Sequence, residues 1–179
     1  MSNFIKTEII SKVSGYQKNE DGTFQIQNIT LNEVKGLVKN TVKIHKELSE
    51  EELTQLVGKT IKVLEVEEFK KGFKSYYNGK DFKLVKNEAN TDIFEVRREL
   101  TLKADYIVAV GKEKTDCKIQ SMVKNGTRTD LFEIKLKDIK INRVQNLKGK
   151  EILIKGINIV KMEGTGTFYN TTVVPTLKV

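Results

Sequence analysis

The sequence predicts an all-β protein of two tandem five-stranded barrels, with a short helix between strands three and four of the first. Three observations lead there. Apolar and polar residues alternate with period two along most of the chain, as in half-buried strands. Only Ser49–Leu56 carries the signals of a helix. And the passage Leu56–Val85 is echoed at Leu147–Val179, which splits the chain into halves of about ninety residues, each within the usual domain range.

Taken in order, Ile5, Ile9-Ile10, Val13 and Tyr16 mark a first strand, and Asn19-Glu20-Asp21-Gly22 a turn. Asp-Gly between alternating runs is a hairpin signal. Phe24, Ile26 and Ile29 form the second strand; the segment around Gly36 and Asn40 reads as a loop; Val42, Ile44 and Leu48 form the third. Ser49 is the expected N-cap, with Glu52 three residues on completing a capping box and Glu50, Glu51 and Glu52 at the positive end of the dipole. Gly58 stops the helix, and strands follow near 59–69 and 74–85. Asn78-Gly79 could form a hairpin tip within the latter; the repeat favours a bulge.

The polar stretch 86–92 is where the sequence places the boundary, giving barrels at 1–88 and 92–179. The pattern restarts with Phe94, Val96, Leu100 and Leu102, then Tyr106–Val110, Ile119–Lys124, an Asn125-Gly126 turn of type I′ character, and Leu131–Ile139. Residues 141–147 suit a helical turn, and two closing strands end the chain. Each half thus reads as three strands, a helix or helical turn, and two strands, the order of an OB-like Greek-key barrel.

The echo is specific. Leu56, Gly58, Lys59, Ile61, Val63, Val66 and Lys70 align with Leu147, Gly149, Lys150, Ile152, Ile154, Ile157 and Lys161. After a one-residue gap, Tyr76-Tyr77-Asn78 falls on Phe168-Tyr169-Asn170, and earlier Ile26-Gln27 matches Ile119-Gln120. Such spacing implies a duplicated unit rather than a solenoid.

The net charge is +8 with a pI near 9.4, a balance that suits polyanions. Residues 1–90 hold 15 Lys/Arg against 13 Asp/Glu and residues 91–179 hold 17 against 11, so the excess lies mainly in the second half. The chain has no apolar run of the ~18 residues a spanning helix needs, and the alternating N-terminus reads as a strand rather than a signal peptide. Cys117, the single cysteine, excludes an internal disulfide, fits a cytoplasmic protein, and is expected as a small half-buried strand residue.

Catalysis has little to build on. His45 is the sole histidine, there is no Cys-x-x-Cys, His-Glu-x-x-His or P-loop, and Glu65-Val66-Glu67-Glu68 reads as a solvated strand face. The expectation is a protein that is not an enzyme and needs no cofactor or metal.

Leu147–Pro175 carries a resemblance. Lys148-Gly149 before a strand, Gly156 within it, and Tyr169-x-Thr171-x-Val173-Val174 on the next resemble the last two barrel strands of bacterial and phage single-stranded DNA-binding proteins. Asp105–Gly111 and Phe132–Leu136 look like strands one and three of the same barrel. The resemblance is best over 147–175 and implies single-stranded DNA binding without strong sequence preference, in replication, recombination or transfer of a phage or mobile element. No tryptophan occurs and residues 175–179 carry no acidic tail, so partner recruitment and tetramer assembly are not carried over. Phage and plasmid versions are the closer comparison; RNA is the other nucleic-acid ligand, and an oligomer is open.

Such barrels bind single strands by stacking bases on aromatic faces and following phosphates with basic residues, at ~1–3 kcal/mol per stacked base. The expected binding residues are Lys70, Lys71, Phe73, Lys74, Tyr76 and Tyr77 in the first half, and Lys118, Lys124, Arg128, Lys161, Phe168 and Tyr169 in the second. Of two adjacent strand aromatics only one faces outward, and tyrosine, whose hydroxyl tolerates water, is the expected one. Arg97 and Arg98 would point to opposite faces, so at most one belongs to any single site. The reading from another class is a β-barrel protein–protein interaction module, an inhibitor or assembly factor that binds no nucleic acid.

Overall fold

The period-two segments become short strands throughout the described residues, which in this computed structural model are 5–72, 74–162 and 164–179. The described residues are all-β apart from one helix and two 3-10 turns. Two compact units divide the chain: a first of Lys6–Arg97, and a second of Arg98–Val179 together with Ile5. The sequence places the boundary a few residues earlier, in the polar stretch 86–92. The division instead falls inside strand β9 (Phe94–Lys103), because Phe94 and Val96 pack on the first core whereas Leu100 and Leu102 belong to the second.

In the first unit β2 (Gly15–Lys18), β3 (Phe24–Asn32), β4 (Gly36–Ile44), β7 (Lys74–Gly79) and β6 (Glu67–Lys71) make one sheet, in the order β2-β3-β4-β7-β6. β1 (Lys6–Lys12), β5 (Thr60–Leu64) and β8 (Asp81–Val85) make a second run, β1-β5-β8. All neighbours are antiparallel except β4 and β7, parallel from Val42↔Tyr77 to Ile44↔Gly79. Three chain segments pass from one run to the other with a break of one or two residues: β1 to β2 at Val13-Ser14, β5 to β6 at Glu65-Val66, and β7 to β8 at Lys80. The freed backbone groups stay paired, as buried polar groups must: Val13 N–H donates to Lys59 O at 2.9 Å, Val66 N–H to Thr7 O at 3.1 Å, and Lys80 N–H to Leu64 O at 3.1 Å. Asn78-Gly79 is therefore a kink in a continuing strand and not a hairpin tip. The segment expected as a loop around Gly36 and Asn40 is strand instead. β3 and β4 pair without interruption to Asn32↔Gly36, and the Asn32 carboxamide closes the tip by accepting from Val34 N–H and Lys35 N–H, each at 2.9 Å.

Helix α1 (Glu50–Leu56) follows β4 where the sequence places it. Ser49 Oγ accepts from Glu52 N–H at 3.2 Å and Glu52 Oε2 accepts from Ser49 N–H at 2.8 Å, a complete capping box. Its Leu53 and Leu56 are buried among Ile9, Phe24, Ile26, Val42, Ile44, Ile61 and Val63. Phe24 meets Phe82 edge-on at 6.2 Å.

The second unit repeats this pairing. β10 (Tyr106–Val110), β11 (Asp116–Asn125), β12 (Arg128–Leu136), β15 (Gly166–Thr171) and β14 (Asn158–Met162) form a sheet in the order β10-β11-β12-β15-β14, with β12 and β15 parallel. β9, β13 (Glu151–Lys155) and β16 (Thr176–Leu177) form the run β9-β13-β16. At the helix position stand two 3-10 turns, Ile141–Arg143 and Gln145–Leu147, which contribute buried Leu147 and, between them, Val144. The clasp after the helix recurs bond for bond. Gly58 N–H donates to Val13 O at 2.8 Å, and Gly149 N–H to Ala104 O at 2.7 Å. Both glycines are left-handed, at φ 86° and 79°, where any side chain is strained. The aligned pairs Ile61/Ile152 and Val63/Ile154 are fully buried, each in its own core.

Candidate functional site

Which side chains leave the core follows from register, since directly paired residues share a face. In the first unit Phe24, Ile26 and Asn28 of β3, with Val42 and Ile44 of β4, are buried. Gln25, Gln27, Ile29 and Leu31, and opposite them Lys43, Thr41, Lys39 and Leu37, therefore line the outer face. On β7, Tyr77 lies beside Val42 and packs on the core, its ring 6.3 Å from Phe94. Tyr76 consequently points outward, 47% exposed, directly opposite exposed Phe69 of β6. The next outward pair along the same ladder is Lys71↔Lys74. Like charges set opposite each other are destabilising until an anion offsets them. A ring pair flanked by a lysine pair is thus built into one face.

The second unit places the equivalent groups in the same way. Cys117, Ile119 and Ser121 of β11 and Phe132, Ile134 and Leu136 of β12 are buried. Lys118, Gln120, Met122 and Lys124, with Lys135, Glu133, Leu131 and Thr129 opposite, form the outer face. Tyr169 packs inward, 5.0 Å from the Phe132 ring, and burial raises its hydroxyl pKa. Phe168 faces outward, 48% exposed, opposite exposed Val160. In this unit the outward member of the pair is phenylalanine rather than the expected tyrosine. β15 pairs with β12 so that Tyr169 falls on the Phe132 side, and register overrides the preference of a hydroxyl for water. Tyr106 of β10 adds a second exposed ring, opposite Gln120, with Lys148 Nζ 4.3 Å from its centroid.

Of the residues expected from sequence, Lys71, Lys74, Tyr76, Lys118, Lys124 and Phe168 lie on these outer faces, and Tyr77 and Tyr169 pack inward. Lys70 and Lys161 sit on the other strand face, opposite Ser75 and Thr167, both exposed near a hairpin end. Arg128 is at the β11–β12 tip and its Nη2 binds Asp130 Oδ2 at 2.9 Å. Phe73 lies outside the described residues. Sequence reading missed Phe69, Tyr106, Lys39, Lys43 and Lys135. The signal was available: steps of two from Ile26 and Ile119 mark the inward positions of β3 and β11, the residues between them face outward, and pairing across the tips extends this to their neighbours.

Charge on the two faces is partly self-compensated. Lys118 binds Glu133, and that hydrogen bond, helped by one from Gln120, keeps the Glu133 carboxyl below its ordinary range against the opposing effect of burial. Lys135 binds Asp116 Oδ2 at 3.1 Å, and Lys43 binds Asp21 Oδ2 at 3.3 Å. Cys117 is buried, and desolvation, with the Asp116 charge adding to it, pushes its thiol up to about 11. Among the described residues no group of three or more His, Cys, Asp and Glu side chains is placed to hold a metal ion, and no helix is long and apolar enough to cross a membrane.

No protein-family model matches the chain, and no curated protein matches it. Among solved structures the chain is similar to a crystal structure of a deletion mutant of the single-stranded DNA binding protein from Thermus aquaticus. The identity is 13% and the TM-score 0.39, over 98% of this chain and 94% of that one.

Proposed function

We propose that each unit is a five-stranded OB-like barrel whose strands break at the corners, and that the chain binds single-stranded DNA across its outer sheet faces without strong sequence preference. The barrel reading rests on the three segments that run from one sheet to the other and on the parallel pairing of β4 with β7 and of β12 with β15. The observation that carries the ligand is the outward placement, in both units, of an exposed ring on the fifth barrel strand: Tyr76 with Phe69 beside it, and Phe168 with Tyr106 on the same sheet. Rings stack on any base, and the flanking Lys71, Lys74, Lys118, Lys124 and Lys135 follow phosphates. Lys70, Lys161 and Arg128 extend that track at the hairpin ends. A cytoplasmic role in replication, recombination or transfer of a mobile element fits this activity, as does its use on RNA.

Fluorescence anisotropy with a labelled oligo(dT) at two salt concentrations tests the proposal. Binding that weakens as salt rises is expected, because phosphate contacts release counterions. Tyr76→Ala and Phe168→Ala each lower affinity by ~1–3 kcal/mol, while Tyr77→Ala and Tyr169→Ala act mainly on stability. Absence of binding at low salt, or equal affinity losses for all four variants, refutes it.

A protein-interaction module is the second reading, and one feature favours it. The β3–β4 tip of the first unit presents Leu31 and Leu37 as an opposed pair, about three-quarters exposed, with Val34 beyond them.

A further inference from the structure

Away from those faces, the first unit has a groove of about 370 Å³ over the outer side of β1, β5 and β8. Its floor is aliphatic: Ile10, Val85 and Ile93 line it, each half-buried. Its rim is basic, with Lys62, Lys83, Lys86 and Arg97. Lys62 and Lys83 are direct cross-strand partners, and Ile10 stands opposite Lys62 on the other side. Two like charges are thus held across one ladder position, an arrangement that costs stability unless an anion lies between them.

The acids nearby meet that demand only in part. Glu8 Oε2 binds Lys62 Nζ at 3.0 Å, while Glu8 Oε1 is engaged by Lys6 at 3.2 Å. Glu88 reaches Lys86 at 3.5 Å and Glu95 reaches Arg97 at 3.1 Å, but these carboxylates are 81% and 49% exposed, in surface pairs that exchange easily. Lys83 is exposed and has no ion-pair partner among the described residues.

We propose that this groove docks an extended acidic segment of a partner protein, with carboxylates on Lys83, Lys86, Arg97 and Lys62 and an aliphatic side chain on the floor of Ile10, Val85 and Ile93. Charge complementarity and an apolar floor together select that occupant. A single nucleic-acid strand is a poorer match, because among the described residues no aromatic side chain lines the groove to stack on its bases.

The test titrates the full chain into a fluorescein-labelled fifteen-residue peptide of alternating Glu and Leu, with a Gln/Leu peptide of the same length as control and oligo(dT) as competitor. Saturable binding of the acidic peptide alone is expected, undiminished by oligo(dT), and the doubly substituted K83A/K86A chain should bind it about fivefold more weakly. Both lysines are exposed, so the variant keeps its fold, which circular dichroism verifies. Oligo(dT) affinity should stay within about twofold of the unsubstituted chain, since each lost phosphate contact has a modest effect. Equal binding of both peptides, or none, overturns the proposal. Loss of oligo(dT) rather than peptide affinity in K83A/K86A reassigns the groove to phosphodiester and overturns it equally. Neither failure touches the stacking faces, whose test uses other residues and another ligand.

Discussion

The two units share one pairing scheme yet present different outer faces. At the β3–β4 tip of the first stand Leu31 and Leu37; at the corresponding β11–β12 tip of the second stand Lys124 and Thr129, with Arg128 beside them. Further along, Gln25 and Thr41 of the first unit occupy the places of Lys118 and Glu133 in the second. Several inward positions keep their residue type, Ile26 for Ile119, Ile61 for Ile152 and Val63 for Ile154, all buried, while Phe24 stands where the second unit has Cys117 and its bulk is supplied there by Phe132 on the neighbouring strand. The lesson is about constraint. Inward side chains must fill a fixed volume at near-crystalline density, whereas outward ones answer only to solvent and ligand. What differs between the faces is therefore where divergence of role should be sought.

The comparison breaks most visibly in the cores. Phe24→Ala and Phe132→Ala should each remove ~3–5 kcal/mol from the unit that holds the ring. Hydrogen exchange reads this locally: Phe132→Ala should speed exchange in β11, β12 and β15, and Phe24→Ala in β3 and β4. Faster exchange spread evenly over both units in either variant would mean that the cores do not act separately.

A smaller effect tests a point of true asymmetry. Gly79 lies where β7 bends into β8, and a Cβ there would overlap Val63; the matching position in the second unit is Thr171, whose hydroxyl donates to Lys155 O at 2.7 Å. Gly79→Ala should therefore destabilise the first unit by ~1–3 kcal/mol. Unchanged stability in chemical denaturation would show that β7 can shift away from β5.

The smallest effect concerns charge. Glu133→Gln frees Lys118 and removes a negative charge from the second unit's face, so oligo(dT) affinity should rise by about two- to fivefold at low salt, an exposed-pair effect that fades as salt increases. A fall in affinity would place Glu133 among the groups that hold the ligand. The same carboxylate sets a sign for pH. Its folded pKa is depressed, so its contribution to stability is present above the ordinary glutamate range and is lost as pH falls through the folded value. Asp21 of the first unit, held to about 2 by hydrogen bonds from Thr23, keeps its contribution to lower pH.

How much of this was legible in the sequence varies with the physics involved. The helix was, because Ser49 and Glu52 form their capping box within four residues. The repeat was, because Gly58 and Gly149 mark a backbone conformation that glycine adopts most easily. The strand at 36–44 was not: its outer half carries Leu37 and Lys39 on the solvent side and is held by pairing with β3, a long-range cause with no local signature. The ring faces were legible only in part. Adjacent aromatics show that one must point out, but which one depends on the register of β7 against β4 and of β15 against β12.

Strand β9 has a practical consequence. Its first residues serve one core and its later ones the other, so no single cut point leaves both halves whole. To prepare the two halves as separate polypeptides, residues 94–103 must be present in both, and Ile5 must accompany the second.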